Sequence, residues 1–252
     1  MAAASSGTAS IRAILLDIEG TTTPIDFVYK TLFPYARHRV GPFLKQHAGE
    51  PEISADIAAL RTQRLADADE NLNPPAWQDD SPDAQVVSAT TYALWLMDRG
   101  SKCPALKSLQ GKIWQEGYGK GELHGEVYPD VPPALARWAR EGKIIAIFSS
   151  GSVLAQKLLF SRTPAGDLTK YLRAYFDTTT GPKNSPQSYA QIAKALAVDP
   201  PAILFVSDVE KELDAAQAAG MRTALSVRPG GSRPATTAHR VIHSFEELFS
   251  EA

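Results

Sequence analysis

Polar side chains that could do chemistry follow three short apolar runs, at the point where each run ends. The pairs are Asp17 with Glu19, Ser149 with Ser150, and Ser207 with Asp208. A single acid in such a place is often only a helix N-cap, so each pair alone carries little weight. The repetition of the pattern, together with Lys183 in a later loop that contains glycine and proline, indicates one shared site.

Phosphoryl transfer is the chemistry that this set suits. Asp17 and Asp208 would repel each other unless a hard divalent cation lay between them, and oxygen ligands with water suit Mg²⁺. Such a cation offsets the charge of a phosphate and lets a carboxylate approach it. Ser149, Lys183 and nearby main-chain N–H groups would hold the phosphoryl oxygens. Glu19, two residues after Asp17, could act as general acid and base.

The apolar runs themselves predict the elements that would position these groups. Buried strands are expected at residues 11–16, 143–148, 202–206 and 222–227. Two amphipathic helices are expected between them, one with Val131, Leu135, Trp138 and Ala139 on its apolar face and one with Tyr189, Ile192, Ala193 and Leu196. Strands that alternate with helices predict a doubly wound α/β core with a parallel sheet. Ligands bind at the carboxyl ends of such strands.

Residues 26–125 interrupt this alternation. They contain no convincing strand, and two apolar helical stripes are expected there: Val87, Thr91, Leu94 and Trp95, then Leu106, Leu109 and Ile113. Residues 71–83 are polar and rich in proline, which is typical of a loop between helices. We therefore predict an α/β catalytic core of residues 1–24 and 126–252 and an inserted all-helical cap of residues 25–125.

Composition excludes several classes of function. Apolar residues make up 44% and charged residues 21% of the 252, which is ordinary globular composition. The 26 basic and 28 acidic residues leave a net charge of −2, so neither nucleic acid nor a membrane surface is expected as a partner. Cys103 is the single cysteine, which excludes an intrachain disulfide and fits a cytoplasmic protein. A monomer is expected.

The chain resembles the haloacid dehalogenase-like phosphohydrolases through four motifs that occur in the family's order. These are D-I-E-G-T from Asp17, F-S-S-G from Phe148, Lys183, and D-V-E-K-E from Asp208. The resemblance implies that Asp17 is the nucleophile, that Asp17, the Glu19 carbonyl and Asp208 bind Mg²⁺ (one ion per subunit), and that Glu212 is an outer acid. It also implies a catalytic role for Glu19 and Lys183, with substrate contacts from Ser149, Ser150 and Lys183.

Within that superfamily, the longer string D-I-E-G-T-T-T-P-I is similar to the enolase-phosphatases of methionine salvage, also called acireductone synthases. Further similar segments run from residue 11 to the C-terminus, among them F-S-S-G-S-V-L-A-Q-K-L-L-F and V-R-P-G. The resemblance implies hydrolysis of a phosphorylated small molecule, 2,3-diketo-5-methylthiopentyl-1-phosphate, to acireductone and phosphate. Glu19 argues against carbon–halogen chemistry, because dehalogenases of the superfamily lack an acid there.

Several alternatives compete with this hypothesis. A different magnesium-dependent phosphatase of the same superfamily would carry the same four motifs, because the cap rather than the motifs selects the substrate. A catalytically silent binding protein would be expected to lack Asp17 or Asp208. His239 and His243 have the spacing of a helical metal pair, but Val241 and Ile242 between them favour a strand. No phosphate-binding P-loop or dinucleotide fingerprint occurs.

Overall fold

The computed structural model describes residues 10–230 and 236–249. Within them, six strands form one all-parallel sheet in the order β3-β2-β1-β4-β5-β6. The strands are β1 (Ala13–Leu16), β2 (Ile144–Phe148), β3 (Ala174–Phe176), β4 (Ile203–Ser207), β5 (Arg222–Ser226) and β6 (Arg240–Ile242). The helices are α1 (Ile25–Phe27), α2 (Phe33–His47), α3 (Pro51–Asp69), α4 (Pro82–Asp98), α5 (Pro104–Gly119), α6 (Val131–Arg140), α7 (Val153–Ser161), α8 (Pro186–Leu196) and α9 (Glu210–Ala218).

The central strands carry the predicted apolar runs. All four residues of β1 are buried, and β1 pairs with β2 on one side and β4 on the other. A strand buried on both faces needs a continuous apolar run, which explains why the sequence predicted these three strands and also β5. The doubly wound parallel α/β core is confirmed. The short outer strands β3 and β6 were not predicted, although a strand was favoured around Val241.

The chain divides into two compact units. One consists of residues 1–25 and 124–252, and the other of residues 26–123. In the first unit, α6 buries Val131, Leu135 and Trp138, and α8 buries all four residues of its predicted apolar face. The side chains of α8 and α9 pack with those of β1, β2 and β4 in one hydrophobic core.

The second unit is built from helices α2 to α5, with a π-helical turn at Val28–Leu32 before α2. Proline stands in the first turn of each of these four helices. In α3, α4 and α5, which follow non-helical residues, its missing N–H costs nothing. Leu106, Leu109 and Ile113 are buried, as predicted for α5. No helix in the described part of the chain combines the length and apolar character that crossing a membrane requires.

The predicted apolar stripe of α4 was wrong. Val87 is 63% exposed and Thr91 is also exposed. The buried face of α4 instead consists of Ser88, Ala89, Tyr92, Ala93 and Leu96. Tyr92 can be fully buried because its hydroxyl donates a hydrogen bond to Asp67, while its ring stacks against Trp95 at 5.6 Å between centroids. Helix α4 therefore turns its tyrosine inward and leaves a valine in solvent.

Candidate active site

The loop that follows β1 places Asp17 and Glu19 at the carboxyl edge of the sheet. Asp17 is 2% exposed, and its N–H donates to the carbonyl of Val206 in β4 at 3.0 Å. The carbonyl of Ile18 accepts the N–H groups of the three successive threonines at 2.9 to 3.1 Å. The Thr22 hydroxyl donates to the Asp17 carbonyl at 3.1 Å. The loop is therefore a tight turn that leaves the two acids facing away from the strand.

Glycine at position 20 allows Asp208 to approach this loop. Gly20 has φ +69°, a conformation that costs side-chain-bearing residues about 1 to 2 kcal/mol. A Cβ at this position would collide with the Asp208 carboxylate. Residues after β1 and β4 therefore meet at the same strand ends, as the sequence predicted.

Lys183 lies between two carboxylates of the cluster. Its Nζ is 2.5 Å from Asp17 Oδ1 and 2.6 Å from Glu212 Oε2, and the residue is only 8% exposed. Helix α8 fixes the lysine, because the buried Tyr189 hydroxyl donates to the Lys183 carbonyl at 2.7 Å. The Ser188 hydroxyl donates to the preceding carbonyl, that of Pro182, also at 2.7 Å. The ammonium is thus held rigidly against the predicted nucleophile.

Ser149 joins the cluster from the end of β2. The residue is completely buried, and its hydroxyl donates to Glu19 Oε2 at 3.4 Å while it accepts the N–H of Gly151 at 3.1 Å. The Gln156 amide donates to the carbonyls of Gly151 and Phe176 at 2.9 Å and so ties this loop to β3. Ser150 is half-buried in the same loop.

The cluster has more negative than positive charge. Burial, followed by the charges of Asp17 and Glu212, raises the pKa of Asp208 to about 7. Burial and then the Asp17 charge also raise the pKa of Glu19 and of Glu212. Burial opposes the charged form of Lys183, but Asp17 and Glu212 outweigh it and raise the pKa of that ammonium. Bringing more anions than cations together is unfavourable unless a further cation is bound.

The donor set fits a hard divalent ion. No group of three His, Cys, Asp or Glu side chains with the arrangement of a metal site occurs in residues 10–230 and 236–249. The chain can instead offer the carboxylates of Asp17 and Asp208 with main-chain carbonyls between β1 and α1. Ions that accept mixed carboxylate, carbonyl and water oxygens, Mg²⁺ above all, match this set better than ions that prefer nitrogen or sulfur.

Some residues of the site were not assigned a role by the sequence. Ser207 is completely buried, and its hydroxyl donates to Glu212 at 3.0 Å and accepts the N–H of Val209. Arg228, two residues after the end of β5, donates to the Thr21 carbonyl at 2.9 Å. The V-R-P-G segment was the only sequence signal that pointed to this arginine. His239 lies beside β6 and contacts Thr223 and Asp214, not this cluster.

The sequence is similar to known hydrolases over most of its length. Residues 11–220 match the haloacid dehalogenase-like hydrolase family. Enolase-phosphatase E1 of Synechococcus elongatus is 50% identical over 239 residues, which cover 95% of this chain and 98% of that protein. Enolase-phosphatase E1 of Pseudomonas aeruginosa is 43% identical over 242 residues, which cover 96% and 100% of the two chains.

Solved structures give the same result. The UTR4 protein of Saccharomyces cerevisiae has a TM-score of 0.76 and 34% identity, covering 95% of this chain and all of that one. A haloacid dehalogenase-like phosphatase from Thermococcus onnurineus, with a TM-score of 0.57 and 20% identity, shares the fold. These likenesses extend over nearly the whole chain and confirm the resemblance read from the motifs. The chain belongs to the haloacid dehalogenase-like hydrolases and, within them, to the enolase-phosphatase E1 family.

Proposed function

We propose that this protein is the bifunctional enolase-phosphatase of methionine salvage. It would enolise 2,3-diketo-5-methylthiopentyl-1-phosphate and then hydrolyse the phosphate ester, releasing acireductone and phosphate. One observation carries the proposal: at the carboxyl edge of the sheet the buried Lys183 ammonium contacts the Asp17 and Glu212 carboxylates, and its charge also lowers the pKa of Glu19 and Asp208, against the larger effect of burial. That excess of negative charge suits a cation and a phosphate ester, which together would offset it.

Asp17 is proposed as the nucleophile. Its carboxylate is buried and oriented by Lys183, so that one oxygen can face phosphorus while the ammonium stabilises the phosphoryl oxygens. A bond forms from the Asp17 carboxylate to phosphorus as the ester oxygen leaves. Water then attacks the aspartyl-phosphate at phosphorus, and the Asp17 carboxylate is released with inorganic phosphate.

Glu19 is proposed as the general acid and base of these two steps. Its carboxyl group would give a proton to the leaving ester oxygen and take one from the attacking water. Its place two residues after Asp17, in hydrogen-bonding reach of Ser149, supports this role. Ser149, Ser150 and Lys183 are proposed to bind the phosphoryl oxygens, and Glu212 to hold Lys183 in place through their 2.6 Å contact.

Enzymes of this family are generally magnesium-dependent, and one Mg²⁺ per subunit is proposed here. The Asp17 and Asp208 carboxylates and the Glu19 carbonyl would hold it, with water and substrate supplying the remaining oxygens. When bound, the ion would neutralise charge on the phosphoryl group and lower the repulsion between the two aspartates. Gly20 supports this assignment, since its lack of a side chain leaves room for Asp208 beside the loop.

The helical unit, residues 26–123, is proposed to be the cap that selects the substrate. We further propose a cytoplasmic location, which a single cysteine supports, and a monomeric state. Light scattering of the purified protein would show one chain per particle. A stable dimer would contradict the monomeric part of this proposal and leave the chemistry untouched.

Simultaneous detection of both products tests the proposed reaction. Purified protein is incubated with the diketo-phosphate and Mg²⁺ while acireductone absorbance and released phosphate are recorded together. Equal amounts of acireductone and phosphate are expected. Chelation of the metal, or the change Asp17→Asn, should abolish both products, and the enolised phosphate ester could then accumulate. Phosphate release from common sugar phosphates, but not from this substrate, would instead indicate another magnesium-dependent small-molecule phosphatase.

A further inference from the structure

Arg228 links the loop of the predicted nucleophile to the rest of the α/β unit. The residue follows β5 and is 5% exposed. Its Nε donates to the Thr21 carbonyl at 2.9 Å, and its Nη1 donates to Asp130 Oδ2 at 2.7 Å and to the His243 carbonyl at 3.2 Å. One guanidinium therefore connects three segments of the chain. The contact in the first of these segments, at Thr21, lies two residues after Glu19.

The guanidinium itself is held firmly. It lies over the ring of Tyr128 at 4.5 Å from the centroid and over the ring of Phe245 at 4.6 Å. Its partner Asp130 also accepts the Phe245 N–H at 2.6 Å and the Ser244 hydroxyl at 3.2 Å. A planar cation between two rings with a fixed carboxylate has little freedom, so its position can determine that of the Thr21 carbonyl.

The loop is fixed from outside through consecutive carbonyls. The Gly20 carbonyl accepts from the Ser226 hydroxyl at 3.3 Å, the Thr21 carbonyl from Arg228, and the Thr22 carbonyl from the N–H of Tyr128 at 3.0 Å. Arg228 is the only one of these donors that carries a full charge, and charged donors make the stronger hydrogen bonds. The arginine therefore contributes most to the external hold on this loop.

The carboxylate of Glu19 depends on this hold. In the described part of the chain its one side-chain donor is the Ser149 hydroxyl, at a long 3.4 Å. A carboxylate with so weak a side-chain contact is placed mainly by its own backbone. Any shift of the Gly20–Thr23 turn would therefore move Glu19 more than it moves Asp17, whose Oδ1 is also held by Lys183.

We propose that Arg228 is a positioning residue that sets the distance between the Glu19 carboxyl group and the leaving ester oxygen. This inference rests on the proposed phosphatase function, in which Glu19 transfers a proton to that oxygen as the phosphorus–oxygen bond breaks. Arg228 itself would touch neither substrate nor metal. Its loss should therefore impair proton transfer more than phosphoryl binding.

The leaving group distinguishes this role from a merely structural one. In the proposed reaction the group that leaves is the enolate of acireductone, which is itself a stabilised anion, so the test uses two aryl esters that differ in their need for a proton. A phenolate leaves poorly without a proton, whereas a nitrophenolate leaves as a stable anion. We expect Arg228→Gln to lower kcat for phenyl phosphate at least about 10-fold with KM nearly unchanged, because a misplaced acid cannot protonate the departing phenolate. For 4-nitrophenyl phosphate, the same variant should lose less than about 5-fold, because no general acid is required.

Arg137→Gln is the matched control. Arg137 also donates to carbonyls of the C-terminal segment, those of Phe245 and Leu248 at 3.2 Å, but the described contacts include none with the nucleophile loop. This variant should melt at a lower temperature with both kcat values intact. The ratio of the two kcat values, taken on one preparation, does not depend on the folded fraction. Arg228→Lys, which keeps the charge for Asp130 but lacks the planar donor set, gives the same comparison if Arg228→Gln is insoluble.

Glu19→Gln separates the failure of this proposal from that of the proposed function. Glu19→Gln should lose the phenyl phosphate reaction selectively, as Arg228→Gln does. If Glu19→Gln is selective and both Arg228 variants lose the two esters equally, the positioning role is overturned while the phosphatase chemistry stands. If Glu19→Gln itself shows no selectivity, the role of Glu19 is wrong and the inference about Arg228 falls with it.

Discussion

Buried polar groups are treated differently in the two units of this molecule. In the helical unit two buried carboxylates each have a close partner: Tyr92 donates to Asp67 at 2.7 Å, and Lys112 lies 2.5 Å from Asp56. In the α/β unit, Lys183 is the ammonium that faces a cluster of four carboxylates at the ends of β1 and β4. The first pattern satisfies buried groups and supports packing, whereas the second leaves a charge imbalance that a ligand can use.

The change Asp17→Asn should have the largest effect on activity. Without its nucleophile the enzyme should lose at least about 10⁴-fold in kcat, as other enzymes do when a nucleophile is removed. Because the Asp17 charge adds to burial in raising the pKa of three neighbouring carboxyl groups, its neutralisation should leave the melting temperature in metal-free buffer unchanged or higher. Calorimetry checks this, and a drop of several degrees would show that the cluster is structural instead.

The change Gly20→Ala should be next in size. Its Cβ would collide with the Asp208 carboxylate, so Asp208 must move and kcat should fall about 100-fold with weaker Mg²⁺ binding. Gly100→Ala in the helical unit is the matched control. Gly100 has a similar φ of +61°, but a Cβ added there would have no atom within 4 Å, so only backbone strain should result. Equal activity losses in steady-state assays of the two variants would contradict the assignment.

The change Tyr92→Phe should destabilise the helical unit without affecting phosphate release from a small aryl ester. The change removes one of the hydrogen-bond donors of the buried Asp67 carboxylate, which keeps the Gln63 amide as a donor at 2.8 Å. The free energy of unfolding should fall by about 1 to 3 kcal/mol. Urea unfolding followed by tryptophan fluorescence measures it. Tyr29→Phe, at a residue 64% exposed, should cost nothing. A large loss of kcat with unchanged stability would break the distinction between the units.

The smallest predicted effect is a pH dependence in the helical unit. The hydrogen bond from His47 to Glu50 outweighs burial and, with the Glu116 contact, raises the pKa of His47 above 6.5. A histidine whose pKa is higher in the folded than in the unfolded state stabilises the fold at pH values below its unfolded pKa. That stabilisation is lost as the pH rises through its folded pKa. The wild type should therefore exceed His47→Gln in free energy of unfolding by more at pH 5.5 than at pH 8.5. A difference that grows with pH would reverse the sign.

The sequence predicted the strands that are buried on both faces of the sheet. Strands β1, β2, β4 and β5 were predicted within one or two residues, since continuous apolar runs leave few alternatives. Strand β3 has three half-buried residues and β6 has one buried residue of three, so neither shows a clear pattern. The inward face of α4 depended on the partner of Tyr92, a long-range contact that no local pattern contains.

The sequence predicted the acidic residues of the site but not the residues that hold them in position. The acids and Lys183 follow recognisable strand ends and loops, so parallel-sheet geometry brought them together. Arg228 contacts a carbonyl 207 positions away, whereas Ser207 and Tyr189 contact residues five and six positions away. All three residue types are common in ordinary cores and turns. Such supports become visible only when the folded chain shows which carbonyl or carboxylate each one contacts.

Trapping the covalent intermediate would decide whether Asp17 is the nucleophile. The enzyme is mixed with the diketo-phosphate and Mg²⁺, quenched within one turnover, and treated with tritiated borohydride, which reduces an acyl phosphate to an alcohol. We expect label in one peptide, as homoserine at position 17, and none in Asp17→Asn or without substrate. Phosphate release with no label at position 17, or with label at Glu19 or Asp208, would contradict the assignment of Asp17.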